Sequence, residues 1–117
     1  MNPEELHLRM LEFGSKVIDF TGQLPQSYGL QHIGRQLIRS STSVGANYAE
    51  AQAAESKADF THKLQISLKE CRESHYWLKL LTIRQAGNKL ALMQLLDESG
   101  QLGSILSSAI VTAKSRP

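Results

Sequence analysis

The chain has 117 residues, of which 41% are hydrophobic and 21% are charged, so it fits one folded domain and is too apolar for a disordered chain. The single cysteine, Cys71, excludes an internal disulfide, and no secretion signal or apolar run long enough to span a membrane is present. The net charge of +2 conceals an asymmetry, because residues 1–60 carry five Lys/Arg and seven Asp/Glu whereas residues 61–117 carry eight and four. We therefore expect a cytoplasmic protein whose second half permits a polyanionic partner without requiring one.

Helix signals recur four times along the chain, and strand signals do not appear. Asn2 followed by Pro3 is typical of a helix N-terminus, and the first predicted helix covers residues 3–21. A second helix with the same apolar spacing is predicted over residues 30–53. The side chains predicted to face the core are Leu6, Met10, Phe13, Val17 and Phe20, then Ile33, Leu37, Val44, Tyr48 and Ala51.

Two further helices are predicted over residues 57–85 and 89–114. Ser56 followed by Asp59 resembles a capping box at the start of the third helix, and Gly87 marks its end. Four helices with short connections predict a single-domain, all-α, antiparallel up-down-up-down bundle. The core residues predicted in these two helices are Phe60, Leu64, Cys71, Leu78 and Leu81, then Leu92, Leu96, Leu102, Leu106 and Ile110.

The stretch RSSTSVGANYAEAQ, residues 39–52, concentrates hydroxyl and small side chains in the second predicted helix. It lacks the Gly-Lys-Ser/Thr sequence of a phosphate-binding loop and the Gly-x-Ser-x-Gly sequence of an esterase elbow. We interpret it as a helix-packing surface, because antiparallel pairing with the third helix aligns polar residues of both. The residues of this predicted structural polar seam are Arg39, near Glu70; Ser43, near Ser67; Asn47, near Lys63; and Glu50.

Two stretches resemble a known family. The first, residues 24–50, contains LP, YGL, RSS, SVGAN and AE, and the second, residues 56–78, contains DF, LKE and ESHYWL. Both are similar to the bacterial four helix bundle protein family, typified by proteins encoded in intervening sequences of 23S ribosomal RNA genes. The match covers residues 24 to 81, whereas the first and fourth helices match only in length and pattern. Ala51 departs from the glycine that many members have there, so a helix break at that position is not expected.

The resemblance implies a left-handed bundle, often assembled as a ring-like pentamer, with no established enzymatic activity. A related accessory protein of diversity-generating retroelements is thought to bind nucleic acid and a reverse transcriptase. The partners implied by the resemblance are therefore further copies of the chain, RNA or DNA, and a protein such as a reverse transcriptase. Membership of a family defines the fold better than the role.

Second apolar faces on two helices predict self-association independently of the resemblance. A helix in an isolated bundle needs one apolar face, so additional apolar residues indicate burial against another subunit. The alternative is that Trp77 only widens the core. The predicted interface residues are Leu8, Leu11 and Ile18 of the first helix and Ile66, Trp77 and Leu80 of the third.

The sequence supports the catalytic functions known for helical bundles less well than it supports a binding role. A di-iron site needs two inward Glu-x-x-His pairs and further carboxylates, but His7 and His62 lie off the predicted core stripes. Cys71 and His75 supply two ligands, too few for a metal site. A phosphotransfer protein with an exposed His62 is the other enzyme-like alternative, although the usual Lys-Gly is missing. We predict no catalytic residue, no cofactor and no metal ligand, and keep a phosphotransfer or metal-binding enzyme as the alternative.

Basic residues concentrate on the third helix and just beyond it. Most such basic groups are simply exposed to water on a helix surface. If the subunits formed a ring, however, the basic residues would be repeated in each subunit, and their combined positive potential could bind phosphate backbones. Few exposed aromatic side chains accompany them, so base stacking and sequence readout have little support. We hypothesise a binding or scaffold protein that contacts RNA or DNA, with protein scaffolding as the other outcome. The candidate nucleic-acid-binding residues are Lys57, Lys69, Arg72, Lys79, Arg84 and Lys89.

Overall fold

The computed structural model describes residues 1–117 and contains four long helices and no strand. Helix α1 covers Pro3–Gly22, α2 covers Tyr28–Gln52, α3 covers Lys57–Ile83 and α4 covers Lys89–Ser115. The helices form a bundle measuring 50 × 21 × 21 Å. The predicted all-α four-helix bundle is confirmed, and α2 and α4 continue without a break through Ala51 and through the two glycines of α4. No helix is both long and apolar enough to cross a membrane.

Each helix begins at a polar N-cap residue whose side chain accepts a hydrogen bond from a backbone N–H in the first turn. Such a bond satisfies a donor that the helix itself cannot pair, and the residue types are those that favour this position. The sequence pattern identified the caps of α1 and α3, whereas the cap of α2 starts that helix two residues earlier than expected. The four N-caps are Asn2, Ser27, Ser56 and Asn88.

The connection between α3 and α4 requires a glycine. Gly87 has a φ of +80°, a backbone conformation that residues with a Cβ atom adopt only at a cost in free energy. A Cβ atom at this position would lie 2.8 Å from the ring of Phe20 in α1. Gly87 therefore allows the chain to turn tightly over the end of the core.

The core follows the predicted stripes with three local differences. Ile33, Phe60 and Leu96 are only partly buried, whereas Leu95 is 3% exposed and takes the inward position in α4. Because neighbouring residues on a helix are about 100° apart, a small rotation of α4 decides which of two adjacent leucines faces the core. The pattern of apolar residues therefore located the core but not the exact rotation of this helix.

The hydroxyl-rich stretch of α2 is a packing surface, as its composition predicted. Ser40 and Ser41 are completely buried, and their hydroxyls donate to carbonyls one turn earlier, those of Leu37 and Ile38. Gly45 faces α1, where an added Cβ would lie 3.3 Å from Cβ of Met10. Small residues thus bring the two helices close together.

Candidate nucleic-acid interface and neighbouring surfaces

The six candidate nucleic-acid-binding residues are all exposed to solvent. Four of them, Lys57, Lys69, Arg72 and Lys79, lie on α3, while Arg84 follows it and Lys89 begins α4. None of the six forms an ion pair with an acidic side chain, since the four ion pairs of the protein use other cations. Lys57 instead donates to the backbone carbonyl of Arg116. The structure therefore exposes these cations to the solvent without an ion-pair partner.

A shallow groove follows the outer contact between α3 and α4. Its two clefts have volumes of about 560 and 490 Å³, and both are bordered by His75 on one wall. The opposite wall is made of the small residues of α4, including Gly100, Gly103 and Ser104. Arg72 borders the smaller cleft. Small side chains on α4 thus leave space beside the basic residues of α3.

His75 is held in this groove by a hydrogen bond that sequence patterns did not predict. Its Nδ1 atom lies 2.6 Å from Oγ of Ser99 in α4. Burial and the nearby charge of Lys79 lower the pKa of His75 below its ordinary value, although the Leu96 carbonyl opposes this. The imidazole is therefore predominantly neutral at pH 7.

Cys71 lies one helical turn before His75 and is fully buried. Its Sγ donates to the carbonyl of Ser99 at 3.3 Å. Burial and the negative charge of Glu98 raise the pKa of the thiol to about 11, so the thiolate that would bind metal or attack a substrate is scarce at neutral pH. Cys71 is a packed thiol in this structure.

Arg39 connects α2 to α3 in the polar seam. Its Nη1 atom lies 3.2 Å from a carboxylate oxygen of Glu70, which is the pairing expected from the antiparallel alignment. The other terminal nitrogen, Nη2, donates to Glu73. Hydrogen bonds with Glu73 and charge interactions with both carboxylates raise the pKa of Arg39. One guanidinium thus connects the two helices through two acids.

The rest of the seam differs in detail from the expected pairs. Asn47 donates to the carbonyl of Ser43 within α2 instead of contacting Lys63. Lys63 is paired with Glu50, with Nζ and Oε1 3.5 Å apart. Ser67 donates not to a side chain but to a backbone carbonyl of α2. A short amide can reach its own helix more easily than the next one, which accounts for the different partner of Asn47.

The predicted interface residues fall into two groups with different burial. Leu8, Leu11 and Ile18 of α1 are more than half exposed, at 55%, 57% and 51%. Ile66, Trp77 and Leu80 of α3 are only partly exposed, and Trp77 packs against the core cluster. The apolar face of α1 is therefore open to solvent in the isolated chain, whereas that of α3 is partly covered by its own bundle.

Trp77 also joins the polar seam. Its indole Nε1 donates to Glu73 at 3.0 Å, and its ring lies edge-on to Tyr76 with centroids 5.1 Å apart. Burial of Glu73 opposes ionisation, but the hydrogen bonds from Trp77 and Arg39 outweigh it and lower the pKa of this carboxyl below its ordinary value. Glu73 therefore links the apolar edge of α3 to the charged seam.

A further contact that the sequence did not predict joins α1 to α4. Arg9 donates through Nε and Nη2 to the two carboxylate oxygens of Glu98, at 3.1 and 2.6 Å. This forked geometry is the strongest form of such a pair. It lies at one end of a groove of about 660 Å³ between the two helices, with Phe13, Phe20 and Leu95 among its lining residues.

The ligand sets required by the enzyme-like alternatives do not assemble. No three His, Cys, Asp or Glu side chains come close enough together to hold a metal ion. His7 packs against the ring of Tyr48, with centroids 6.1 Å apart. His62 is exposed and borders a cleft with Lys57 and Lys114, without an acidic partner. Neither alternative gains support from this geometry.

These features define a class of small antiparallel helical bundles in which polar seams join the helices. The chain belongs to the 23S rRNA-intervening sequence protein family, whose model matches residues 5–108. The expected family resemblance is thereby confirmed. No curated protein matches the chain.

A solved structure supports the same assignment. The chain is similar to a protein of unknown function from the S23 ribosomal protein family of Bacteroides thetaiotaomicron, whose crystal structure extends to 1.70 Å resolution. The two are 33% identical, the alignment covers 94% of this chain and 98% of the other, and the TM-score is 0.84. The family and the fold are thus shared along almost the whole chain, and neither the family description nor this relative describes an enzyme.

Proposed function

We propose that the protein is a non-enzymatic, self-associating bundle that binds RNA through the phosphate backbone at the basic face of α3. The observation that carries this proposal is the set of six exposed cations without acidic partners. Cations that are already paired within a protein cannot release counterions from a nucleic acid, whereas unpaired ones can. Three other cations of the protein already form ion pairs with its own acidic side chains, namely Arg9, Arg39 and Lys63.

The dimensions of the basic face suit a backbone-binding surface. Lys57 and Lys79 are separated by 22 residues of α3, which corresponds to roughly 33 Å along the helix axis. A single strand lying along this face would meet several cations in succession. Since Tyr76 is the one exposed aromatic side chain of α3, stacking contributes little, and binding is expected to show weak sequence preference.

Self-association rests on the exposed apolar face of α1. Leu8, Leu11 and Ile18 would become buried against a second copy, which stabilises association because apolar surface is removed from water. The family resemblance supports a ring-like pentamer as the assembly. In a ring the basic face is repeated once per subunit. One RNA strand can therefore contact several subunits and bind more tightly than it would to a single subunit.

RNA is proposed ahead of DNA because the family description refers to intervening sequences of 23S rRNA. A gel-shift titration at low and moderate salt tests this, with fragments of 23S rRNA beside unrelated RNA and DNA. We expect binding to all of these at low salt and a steep loss as salt rises. Absence of binding at low salt would remove the nucleic-acid role and leave scaffolding of a protein partner, of which a reverse transcriptase is the one implied by the resemblance.

A further inference from the structure

We propose that the α3–α4 groove is a phosphate-binding subsite, in which Arg72 and protonated His75 of α3 face the hydroxyl of Ser104 of α4. The inference rests on the proposed function and deepens it, because it assigns one phosphodiester of a bound strand to a defined place. It adds a histidine and a serine to a surface described so far only by its lysines and arginines.

The shape of the groove is the first support. Arg72, His75 and Ser104 line the smaller cleft of about 490 Å³, which is much larger than a phosphate group. Gly100 and Gly103 lie between these side chains and leave the floor of the cleft free of bulk. An added Cβ at Gly100 would lie 3.8 Å from the edge of the His75 ring. The cleft therefore combines a cation, an ionisable ring and a hydroxyl donor.

The hydrogen bond between His75 and Ser99 orients the imidazole for this role. Oγ of Ser99 lies 2.9 Å from the Leu96 carbonyl oxygen and 2.6 Å from Nδ1 of His75, so a hydroxyl that donates its single proton to the carbonyl accepts from Nδ1. On this geometry we assign the proton of the neutral ring to Nδ1, and Nε2 is then the nitrogen that gains a proton. Protonation creates a new donor on a ring whose position is already held.

The charges around His75 determine how its protonation responds to a ligand. On its own helix it is flanked by Arg72, Lys79 and the neutral thiol of Cys71, and on α4 it faces Asp97, which accepts a hydrogen bond from Gln101. Burial and Lys79 lower the pKa of His75, so the free protein holds the ring mostly neutral at pH 7. A phosphate in the cleft would offset the two cations and favour the imidazolium. Binding and protonation are therefore linked, and affinity should rise as pH falls.

The test measures the affinity of the protein for a single-stranded oligouridylate that has a 5′-hydroxyl end and carries a dye without an ionisable group in this range, at low salt and at several pH values between about 8 and 5.5. A phosphodiester keeps its single charge throughout this range, so changes in affinity arise from the protein. His75→Asn is the informative variant, because the amide can still donate to Ser99 but cannot ionise. His32→Asn is the matched control, since His32 is an exposed histidine of α2 outside the groove. His62 is unsuitable as a control because it borders another cleft of α3 with Lys57 and Lys114.

We expect the wild type and His32→Asn to gain about threefold to tenfold in affinity on acidification, the effect of one added charge-assisted hydrogen bond at a partly exposed site. His75→Asn should lose most of this gain while its affinity at pH 8 stays near that of the wild type. Equal gains in His75→Asn and wild type would overturn the subsite while leaving the proposed function intact. Failure of every protein to bind at any of these pH values would overturn both.

A second measurement on the wild type is independent of how the variants fold. The imidazole resonances of His75, followed by nuclear magnetic resonance during a pH titration, report its pKa with and without saturating oligouridylate. We expect the pKa of His75 to increase when the strand is bound, because linkage is reciprocal. An unchanged pKa of His75 in the saturated complex would contradict a phosphate in the cleft.

Discussion

The hydroxyl of Ser67 donates a hydrogen bond of 2.7 Å to the backbone carbonyl of Val44, which joins α3 to α2 at a site closed to solvent. Both residues are 0% exposed. A second buried pair follows two turns further along α3, where Oγ of Ser74 lies 2.8 Å from Oγ of Ser40. The hydroxyl-rich stretch of α2 thus serves to bring two helices close together, with their polar groups satisfied by one another.

Ser67→Ala tests this contact between α2 and α3. We expect the free energy of unfolding to fall by about 1 kcal/mol, because a buried hydrogen bond is lost while the Val44 carbonyl keeps its partner within α2. Urea unfolding followed by circular dichroism measures the change. The matched control is Ser15→Ala, at an exposed hydroxyl of α1 without a hydrogen-bond partner, and equal effects of the two substitutions would contradict the account.

Glu73 provides an acid-sensitive element of the same two helices. Its pKa is lowered in the folded protein despite its partial burial, because Trp77 and Arg39 donate to it. A carboxyl whose pKa is lower when folded stabilises the fold above its unfolded pKa of about 4.3, and this contribution disappears as the pH falls through the folded value. The urea midpoint of the wild type should therefore decrease from about pH 6 to about pH 3 more than that of Glu73→Gln.

The control for this acid dependence is Glu55→Gln. Glu55 is exposed in the connection between α2 and α3 and makes no hydrogen bond or ion pair. Its substitution should leave the pH dependence of the urea midpoint as in the wild type. If Glu73→Gln and wild type lost stability in parallel on acidification, the contacts of Glu73 with Trp77 and Arg39 would contribute nothing to the acid sensitivity of the fold.

Cys71 should be unreactive in the folded protein. Its side chain is buried, and burial together with Glu98 raises the pKa of the thiol to about 11. At pH 8 the thiolate is therefore a very small fraction, and reagents cannot reach it. Iodoacetamide labelling followed by mass spectrometry should be slow in buffer and fast in concentrated urea. Labelling at the same rate in both conditions would show that α3 and α4 separate readily around this residue.

Leu11→Glu tests the proposed association through α1. Leu11 is 57% exposed in the isolated chain, so a glutamate costs the monomer little, but burying it against a second copy would cost several kcal/mol. Light scattering should report a multimer for the wild type and a smaller species for the variant. Trp77→Glu is a less specific test, because Trp77 also packs against the core of its own subunit.

A matched control for the association is Ile83→Glu, at a 79% exposed aliphatic residue at the end of α3, away from the apolar face of α1. It should keep the mass of the wild type. A wild-type protein that is monomeric at micromolar concentration would exclude the association altogether, and dissociation by Ile83→Glu alone would place the interface elsewhere.

The spacing of apolar residues was sufficient to predict four helices, their order and most of the core, because each helix carries its own periodic signal. The Arg39–Glu70 pair was also predictable, since a short connection sets the register of two antiparallel helices. The contacts of His75 with Ser99 and of Arg9 with Glu98 could not be predicted from the sequence. They join residues 24 and 89 positions apart and depend on the rotation of each helix about its axis, which periodicity leaves undetermined to within about one residue.

The same argument applies to Trp77. Its helical position placed it outside the core stripe, but the structure packs its ring against the core while Nε1 reaches Glu73. A large side chain at the edge of a stripe can turn toward either environment, and the neighbouring helix decides which. Sequence patterns therefore identified Trp77 as unusual without assigning its contacts.

The central claim, that unpaired cations of α3 hold an RNA backbone, is tested most directly by the salt dependence of RNA affinity in two charge-matched double variants. One carries Lys69→Gln and Lys79→Gln on the basic face, and the other carries Lys16→Gln and Arg35→Gln at exposed cations of α1 and α2. Each lowers the net charge by two, so a non-specific effect of charge would be the same in both. The account predicts that only the α3 variant binds more weakly and that its log–log salt slope becomes shallower by about 0.7 for each single-strand phosphate contact removed. Equal losses of affinity and slope in the two variants would contradict it.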